Sequence, residues 1–562
     1  MRAGELISPA GYLRSHFNGF SIVSVGIAVL MLLPVIAVVH LAFNADQTIW
    51  IHLKDTVLSD YVTNSFLLVL GVGFGVLALG VPAAWFTSVC DFPGQRVFAW
   101  ALLLPLAFPA YIVAYTYTGL LDYAGPVQTL VREITGLGYG EYWFFEVRSL
   151  PGAIGMLTLV LYPYVYLLSR AAFLEQSVSI LEVSRTLGHS VSWSFFRLAV
   201  PLSRPAIATG LSLALMETLA DYGTVQYFGI STFTTGIFRT FYGFGDVAAA
   251  AQLASVLLLF VVALIISERY SRREARYYAK GTSSSGAGKI KLTGVQAVWA
   301  WIGCTIPLTF GFLIPLVVLS YWSIFEAKWA DSGFLLLVWH SFYLAFITAV
   351  VAVMLALVLS YADRLQTSKW IGTVISAAGF GYAVPGTIIA VGVLIPLVWL
   401  DHQIISAMQY LFSIDTGLLL SGTLVALIFS YTVRFLAVSL GTVKSGLDKI
   451  SPSIDYAARS LGQTPTGIVR FIHAPLMKSS VITALLIVFV DVLKELPATL
   501  MLRPFDFNTL AVRAFELASD ERLADSAPAS IMIVLVGIVP VILLSRSISA
   551  GHAGSRHSIH ER

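Results

Sequence analysis

Apolar residues fill this chain in long unbroken runs, and polar residues collect between the runs rather than alternating within them. Twelve windows stand out, at about 20–43, 65–89, 98–121, 152–171, 204–222, 247–267, 296–322, 339–361, 371–400, 417–437, 478–497 and 528–545. A helix rises 1.5 Å per residue, so about 20 apolar residues cross the roughly 30 Å hydrocarbon core of a bilayer. The pattern predicts an all-α integral membrane protein of about twelve transmembrane helices, with both termini on one side.

Two polar stretches interrupt the apolar pattern in the same way. EVSRTLGHSVSWSFFRLAVPLSRPAIATG begins at Glu182, and YAARSLGQTPTGIVRFIHAPLMKSSVITA begins at Tyr456. Gly188 and Gly462 are 274 positions apart, and so are Pro201 and Pro475. In the first stretch Ile180, Val183, Leu187, Val191, Phe195 and Leu198 recur at helical spacing; in the second, Ile454, Ala458, Leu461, Ile468 and Ile472 do. Each glycine marks a turn with positive φ, and each proline ends the amphipathic part before the next span. The expectation is a short helix–turn–helix along one membrane face. A single copy would suit a helix resting on lipid or packed on its own spans. Two matched copies favour a partner with two-fold symmetry that docks on both, such as an ATP-driven motor dimer.

The repeat extends further. FPAYIVA around Pro109 matches VPGTIIA around Pro385, and FTTGIFRTF (233–241) matches FNTLAVRAF (507–515). Six spans per copy is an even number, so the copies are parallel, unlike the inverted repeats of many secondary transporters. The sequence divides into a first unit at 1–267, a linker at 268–295, a second unit at 296–545 and a tail at 546–562. The linker carries seven basic residues and a Ser/Gly run, which is flexible, solvated chemistry. Its GAGK is not a phosphate loop, because Ser283 and Ile290 occupy the positions that need Gly and Ser or Thr.

Composition agrees: 57% of residues are hydrophobic and 12% charged, where a soluble protein carries about a quarter charged. Mean hydropathy is +0.83. With the N-terminus inside, the outer loops hold eight of the 34 basic residues, Lys494 lies inside a span, and 25 fall on the inner side. Basic residues are retained on the cytoplasmic face, so both termini are placed there. Cys90 and Cys304 form neither a disulfide framework nor a CxxC metal site. The run from Phe20, flanked by Arg2 and Arg14, reads as a retained first helix rather than a cleaved signal.

The spacing Glu182, Gly188, Pro201 resembles the EAA loop of binding-protein-dependent ABC importer permeases. The first copy keeps Glu182, Gly188, Leu198, Val200 and Pro201, with Val183 and Ser184 in place of two alanines. The second keeps Ala457, Ala458, Gly462, Ile472 and Pro475, with Tyr456 at the glutamate position and Asp455 before it. KELPATLMLRPFDFNTLAVRAF (494–515) and ETLADYGTVQYFGISTFTTGIFRTF (217–241) are similar to the iron(III) importer permeases in which two units are fused. The resemblance implies a type I importer of the MetI-like fold, built from two parallel six-helix repeats in the bacterial inner membrane. It implies no catalytic residues and no cofactor on this chain, with ATP and Mg on a separate cytoplasmic ATPase dimer. A periplasmic substrate-binding protein would deliver the cargo, membrane lipid would surround the spans, and nucleic acid has no place.

Under this resemblance the coupling contacts are Glu182, Val183, Ser184, Arg185, Leu187, Gly188, His189 and Pro201 in the first loop. In the second they are Tyr456, Ala457, Ala458, Arg459, Leu461, Gly462, Gln463 and Pro475. Ionisable groups within spans mark a functional path. Glu217 and Asp221, and at the same offset Asp491 and Glu495, form i,i+4 carboxylate pairs that share a helix face, with Lys494 beside the second. They are candidates for a path favouring iron(III), a hard cation, with no fixed metal site. The competing reading pairs them at span ends with Lys494, Arg239 or Arg513. The tyrosines of YIVAYTY and YPYVY, the tail residues His552, His557 and His560, and Gly71, Gly73 and Gly75 read as packing, solvated tail and close helix approach. Importers of thiamine, sulfate, polyamines or phosphonates share this layout. A proton-coupled secondary transporter using the four carboxylates is a further alternative.

Overall fold

The computed structural model describes residues 19–44, 47–138, 140–175, 184, 186–273, 289–328, 333–365, 369–414 and 416–557. Among them, ten helices are long and apolar enough to cross a membrane. Two bent pairs bring the number to twelve if each counts as one span: Gln95–Ala107 with Ala110–Thr135, at 91°, and Val191–Leu202 with Arg204–Ala220, at 74°. The extended structure among the described residues is one parallel two-residue pairing, Cys90–Asp91 with Ile290–Lys291.

Proline sets one kind of break in both repeats. Leu104–Ala107 forms a 3-10 turn, Phe108 is extended, and Pro109 stands just before helix Ala110–Leu121. In the second repeat Gly379–Ala383, Val384 and Pro385 precede Gly386–Phe412 in the same way. The pyrrolidine ring excludes helical backbone at the residue before it, so the chain turns there and restarts. The window at 371–400 therefore divides into Lys369–Ala378 and Gly386–Phe412.

Packing gathers the chain into two compact units. One is built from residues within 1–45, 247–255 and 333–509. Its centre is formed by Phe334–Leu365, Leu424–Asp448 and Ala474–Lys494, which bury Val353, Leu359, Leu436, Val443, Ala484 and Val488. Helix Gly19–Asn44 lies along Gly386–Phe412. At Gly392 the two backbones approach so closely that a Cβ would overlap the Pro34 carbonyl, a position only glycine can occupy.

The other unit is built from residues within 46–246, 256–332 and 510–562. Leu58–Val89 packs along Leu150–Glu175 and Arg204–Ala220. The run from Val295 to Glu326 and the helix Leu523–His557 complete it. The YPYVY tyrosines Tyr162 and Tyr166 are fully buried, and the Tyr166 hydroxyl donates to the Ala99 carbonyl at 2.9 Å.

The boundaries 1–267 and 296–545 divide the chain by repeat, whereas packing divides it differently. Each compact unit contains the opening helix of the other repeat: Gly19–Asn44 in one, the run from Val295 in the other. The helix Gly19–Asn44 is apolar around its circumference. It therefore has no amphipathic face to assign it a neighbour, and close approach at small residues decides its place.

Candidate coupling turns and intramembrane carboxylates

The two glycine turns have the same backbone. Gly188 and Gly462 both have φ +80°. The His189 N–H donates to the Ser184 carbonyl at 3.1 Å, and the Gln463 N–H donates to the Ala458 carbonyl at 3.0 Å. In the second turn the Gly462 N–H also reaches the Arg459 carbonyl at 3.0 Å. This is the Schellman closure of a helix C-terminus, in which a left-handed residue lets two N–H groups satisfy the last carbonyls. Ser184 and Ala458 are buried, while Leu187 and Leu461 are 70% and 83% exposed. Each turn therefore anchors a small residue inward and offers a leucine outward. Glu182, Val183 and Arg185 lie outside the described residues.

The match continues past the turns. A second short helix begins at Ser190, whose hydroxyl accepts from the Trp193 N–H, and at Thr464, whose hydroxyl accepts from the Gly467 N–H. Both helices then widen into a five-residue π-helical segment, Phe195–Ala199 and Val469–His473. These segments are again 274 positions apart. Their cause is two residues further on, at Pro201 and Pro475. A proline in a continuous helix lacks an N–H and collides with the carbonyl four residues back, here at Arg197 and Phe471. Widening to i,i+5 bonding relieves that collision.

The surroundings of the two turns differ. In the second, Asp455 in helix Pro452–Ser460 is held from two sides. The Arg364 Nε donates to its Oδ2 at 2.9 Å, and His473 Nε2 lies 2.7 Å from Oδ1. The remaining Arg364 donors reach the carbonyls of Leu447 and Ile450 at 2.8 and 3.0 Å. Burial acts to raise the Asp455 carboxyl, but the Arg364 and His473 contacts outweigh it and hold it below its ordinary value. At the matching first-repeat positions, Arg364 is replaced by Cys90 and His473 by Ala199. Tyr456 and Arg459 are exposed. In the first turn, His189 stacks on Trp193 with ring centroids 3.8 Å apart; Gln463 and Gly467 stand in their places.

The carboxylate pairs separate into two kinds. Asp221 follows Arg204–Ala220 and caps the next short helix, Gly223–Tyr227. Its Oδ1 accepts from the N–H groups of Thr224 and Val225 at 3.1 and 3.2 Å, and its Oδ2 from the Thr224 hydroxyl at 3.0 Å. Glu495 does the same for Pro497–Leu502, accepting from the N–H groups of Ala498 and Thr499, each at 3.1 Å, and from the Thr499 hydroxyl at 3.0 Å. Both carboxylates thus satisfy helix-start donors. Glu495 is also paired with Arg434 at 3.0 Å, with side chains 1% and 10% exposed. Asp491 lies 3.3 Å from Lys494, both side chains being part-exposed. Glu217 lies within Arg204–Ala220. The positions matching Lys494 and Arg434 are Ala220 and Val160.

Arg434 corrects the basic-residue count. It lies buried within Leu424–Asp448 rather than at the inner margin of a span. The window at 417–437 starts too early because Leu418, Leu419 and Leu420 are apolar yet form a loop. The N–H groups of Leu419, Leu420 and Ser421 donate to the Asp401 carboxylate at 3.1, 2.9 and 2.7 Å. Arg364, His473 and the threonines after Asp221 and Glu495 also escaped sequence reasoning. At the 274 offset Thr224 matches Ala498 and Thr499 matches Val225, so the two capping threonines stand one position out of register and internal comparison does not mark them.

No protein-family profile matches the chain. Among curated proteins, it is 28% identical over 505 residues to the Fe(3+)-transport system permease protein FbpB 2 of Haemophilus influenzae, covering 87% of this chain and 90% of the relative. The putative ferric transport system permease protein FbpB 1 of the same organism is 23% identical over 481 residues, 82% of this chain and 72% of that one. The molybdenum transport system permease protein ModB of Escherichia coli K12 is 26% identical over 209 residues, which is 88% of its own length but 35% of this chain. A single-unit permease thus matches about a third of the sequence, while a ferric permease matches it nearly end to end. Over most of its length the chain is similar to fused two-unit ABC importer permeases. It is a pore subunit rather than an enzyme, and the class implies an ATPase and a substrate-binding protein as partners. As a multi-pass permease of this class it resides in the inner membrane.

Proposed function

We propose that this permease carries iron(III) from the periplasm to the cytoplasm, driven by a separate ATPase dimer that grips both glycine turns. The single observation behind the mechanism is the repetition of the whole device in both compact units: positive-φ glycine, closing N–H bonds, π-helical segment and proline. Two equal sockets suit a dimeric motor whose closure on ATP moves both units at once. In this reading the outward Leu187 and Leu461 and the exposed His189, Gln463, Tyr456 and Arg459 make the contacts. Both termini and both turns face the cytoplasm. ATP and Mg2+ belong to the partner, and this chain supplies no cofactor site.

The cargo assignment draws on the names of the ferric relatives and on the intramembrane carboxylates. Asp221 and Glu495 have their carboxylate oxygens turned to a helix start, whereas Asp491 stands in a part-exposed pair with Lys494, so Asp491 is the better candidate to meet a passing cation. Iron(III) prefers hard oxygen ligands, and a path must hold its cargo weakly enough to release it. An oxyanion cargo is the second reading, because molybdenum and 2-aminoethylphosphonate permeases are also among the relatives.

Reconstitution in vesicles with the cognate binding protein and ATPase tests both points. Iron uptake that requires ATP is expected. Uptake driven by a proton gradient without the ATPase, or ATP-driven molybdate uptake in place of iron, would overturn the proposal.

A further inference from the structure

Next to the second turn, the ends of Phe334–Leu365 and Ala474–Lys494 leave a cavity of about 780 Å³. Its wall is apolar, with Leu357, Val358, Met477 and Val481 prominent. Three basic side chains also border it, Arg364, Arg459 and Lys478, against the single carboxylate of Asp455. Asp455 is already committed to Arg364 and His473, so Arg459 and Lys478, both exposed, give this margin a net positive charge.

Two further observations suggest that the cavity takes a guest. His473 lines it, is 2% exposed and has its Nδ1 buried without a hydrogen-bond partner, while Nε2 is engaged by Asp455. A buried polar atom of this kind is costly unless something satisfies it. At one lining position the repeats also differ in bulk: Val469 borders the cavity, and the matching residue 274 positions earlier is Phe195, whose ring packs 5.3 Å from that of Trp85, centroid to centroid.

We propose that the groove is a binding site for one anionic phospholipid of the cytoplasmic leaflet. An acyl chain lies along Leu357, Val358, Met477 and Val481, the phosphate sits between Arg459 and Lys478, and an oxygen of the head region meets His473. The apolar wall excludes free phosphate as the natural occupant, and the unsatisfied Nδ1 excludes a pure hydrocarbon. Because the groove borders the helix that carries the second turn, a bound lipid would tie that turn to the membrane on one side of the molecule only. The inference does not depend on which cargo the permease moves.

The test uses the full chain in nanodiscs containing phosphatidylglycerol or phosphatidylcholine with a photoreactive acyl chain, the adducts being mapped by mass spectrometry. Two basic groups near the headgroups predict a preference of roughly 10- to 30-fold for the anionic lipid at Leu357–Tyr361 and Met477–Ile482. Lys478→Gln and Arg459→Gln, both at exposed positions, are each expected to cut that preference several-fold. Val481→Trp should reduce labelling by both lipids. Equal labelling of the wild type by the two lipids, or an unchanged preference in both glutamine variants, would overturn the proposal. So would loss of labelling on adding free inorganic phosphate, which would mark a simple anion site. Labelling abolished by the ATPase but indifferent to lipid charge would instead assign the groove to that protein.

Discussion

His473 Nε2 stands 2.7 Å from Asp455 Oδ1, across the joint between the second turn helix and the span that follows it. With Arg364 on the other carboxylate oxygen, this contact fixes the helix Pro452–Ser460 to two spans at once. Asp455→Ala removes charge-assisted bonds worth about 1.5–3 kcal/mol and strands the Arg364 guanidinium. Thermal unfolding in detergent is expected to show that loss, and hydrogen exchange should rise in residues 452–460.

The same clamp predicts a pH response. The Asp455 carboxyl is held below its ordinary value of 3.8. A carboxyl depressed in the folded state contributes its full stabilisation above the ordinary value and loses it as pH falls through the folded one. Measured in a His473→Gln background, which removes the neighbouring imidazole, protection of residues 452–460 from hydrogen exchange should therefore show no Asp455-dependent change from pH 8 to pH 5. The difference between that background and its Asp455→Asn derivative should shrink only below about pH 4. A difference that vanished by pH 6 would refute this assignment.

The turn glycines offer a cleaner separation of shape from bulk. A Cβ at Gly188 or Gly462 meets nothing within 4 Å, so the cost of a side chain there is that of the positive φ alone, about 1–2 kcal/mol per position. Gly188→Val with Gly462→Val should distort both turns and lower ATP-dependent transport while the ATPase continues to turn over. Asparagine, which tolerates the left-handed region, should retain most of the transport. Equal loss in the valine and asparagine doubles would argue against a conformational role.

Pro201→Ala and Pro475→Ala restore an N–H and remove the collision that widens each helix. Each π-helical segment should tighten toward α, turning the preceding residues relative to the span by a fraction of a turn. Stability should hold or rise, since an interior proline costs up to about 3 kcal/mol, yet transport per ATP should fall. Transport per ATP equal to that of the wild type would show that the widened segment has no mechanical role.

Within the spans, Glu495→Gln leaves the Arg434 charge buried without its partner and should cost about 3–5 kcal/mol. Adding Arg434→Met should recover much of that loss, a coupling measurable by a double-mutant cycle in thermal denaturation. Asp491→Asn lies in a part-exposed pair, where exposed pairs contribute little to stability. It is expected to lower iron uptake several-fold with little change in melting temperature. Normal uptake would remove Asp491 from the path.

Much of this architecture was legible from hydropathy and spacing. Long apolar runs identify spans regardless of their neighbours, and the 274-residue offset alone locates both glycine turns. Three things were hidden for physical reasons. Leu418 to Leu420 look like span residues because hydropathy does not register that Asp401 has taken up the N–H groups of that loop. Arg434 and Arg364 have no counterparts in the first repeat, so internal comparison could not flag them. Asp221 and Glu495 were legible as buried charges, but only geometry shows both oxygens of each turned to the start of the next helix.

The crossed allocation of opening helices bears on how the protein is made. Gly19–Asn44 enters the bilayer early in synthesis, yet the surface it packs against, including Gly392, emerges only after the ribosome has passed the linker. Until then the helix must wait among lipids, held by its own greasiness. Neither repeat expressed alone would contain a complete compact unit, and two separately expressed repeats would have to find each other in the membrane to mature.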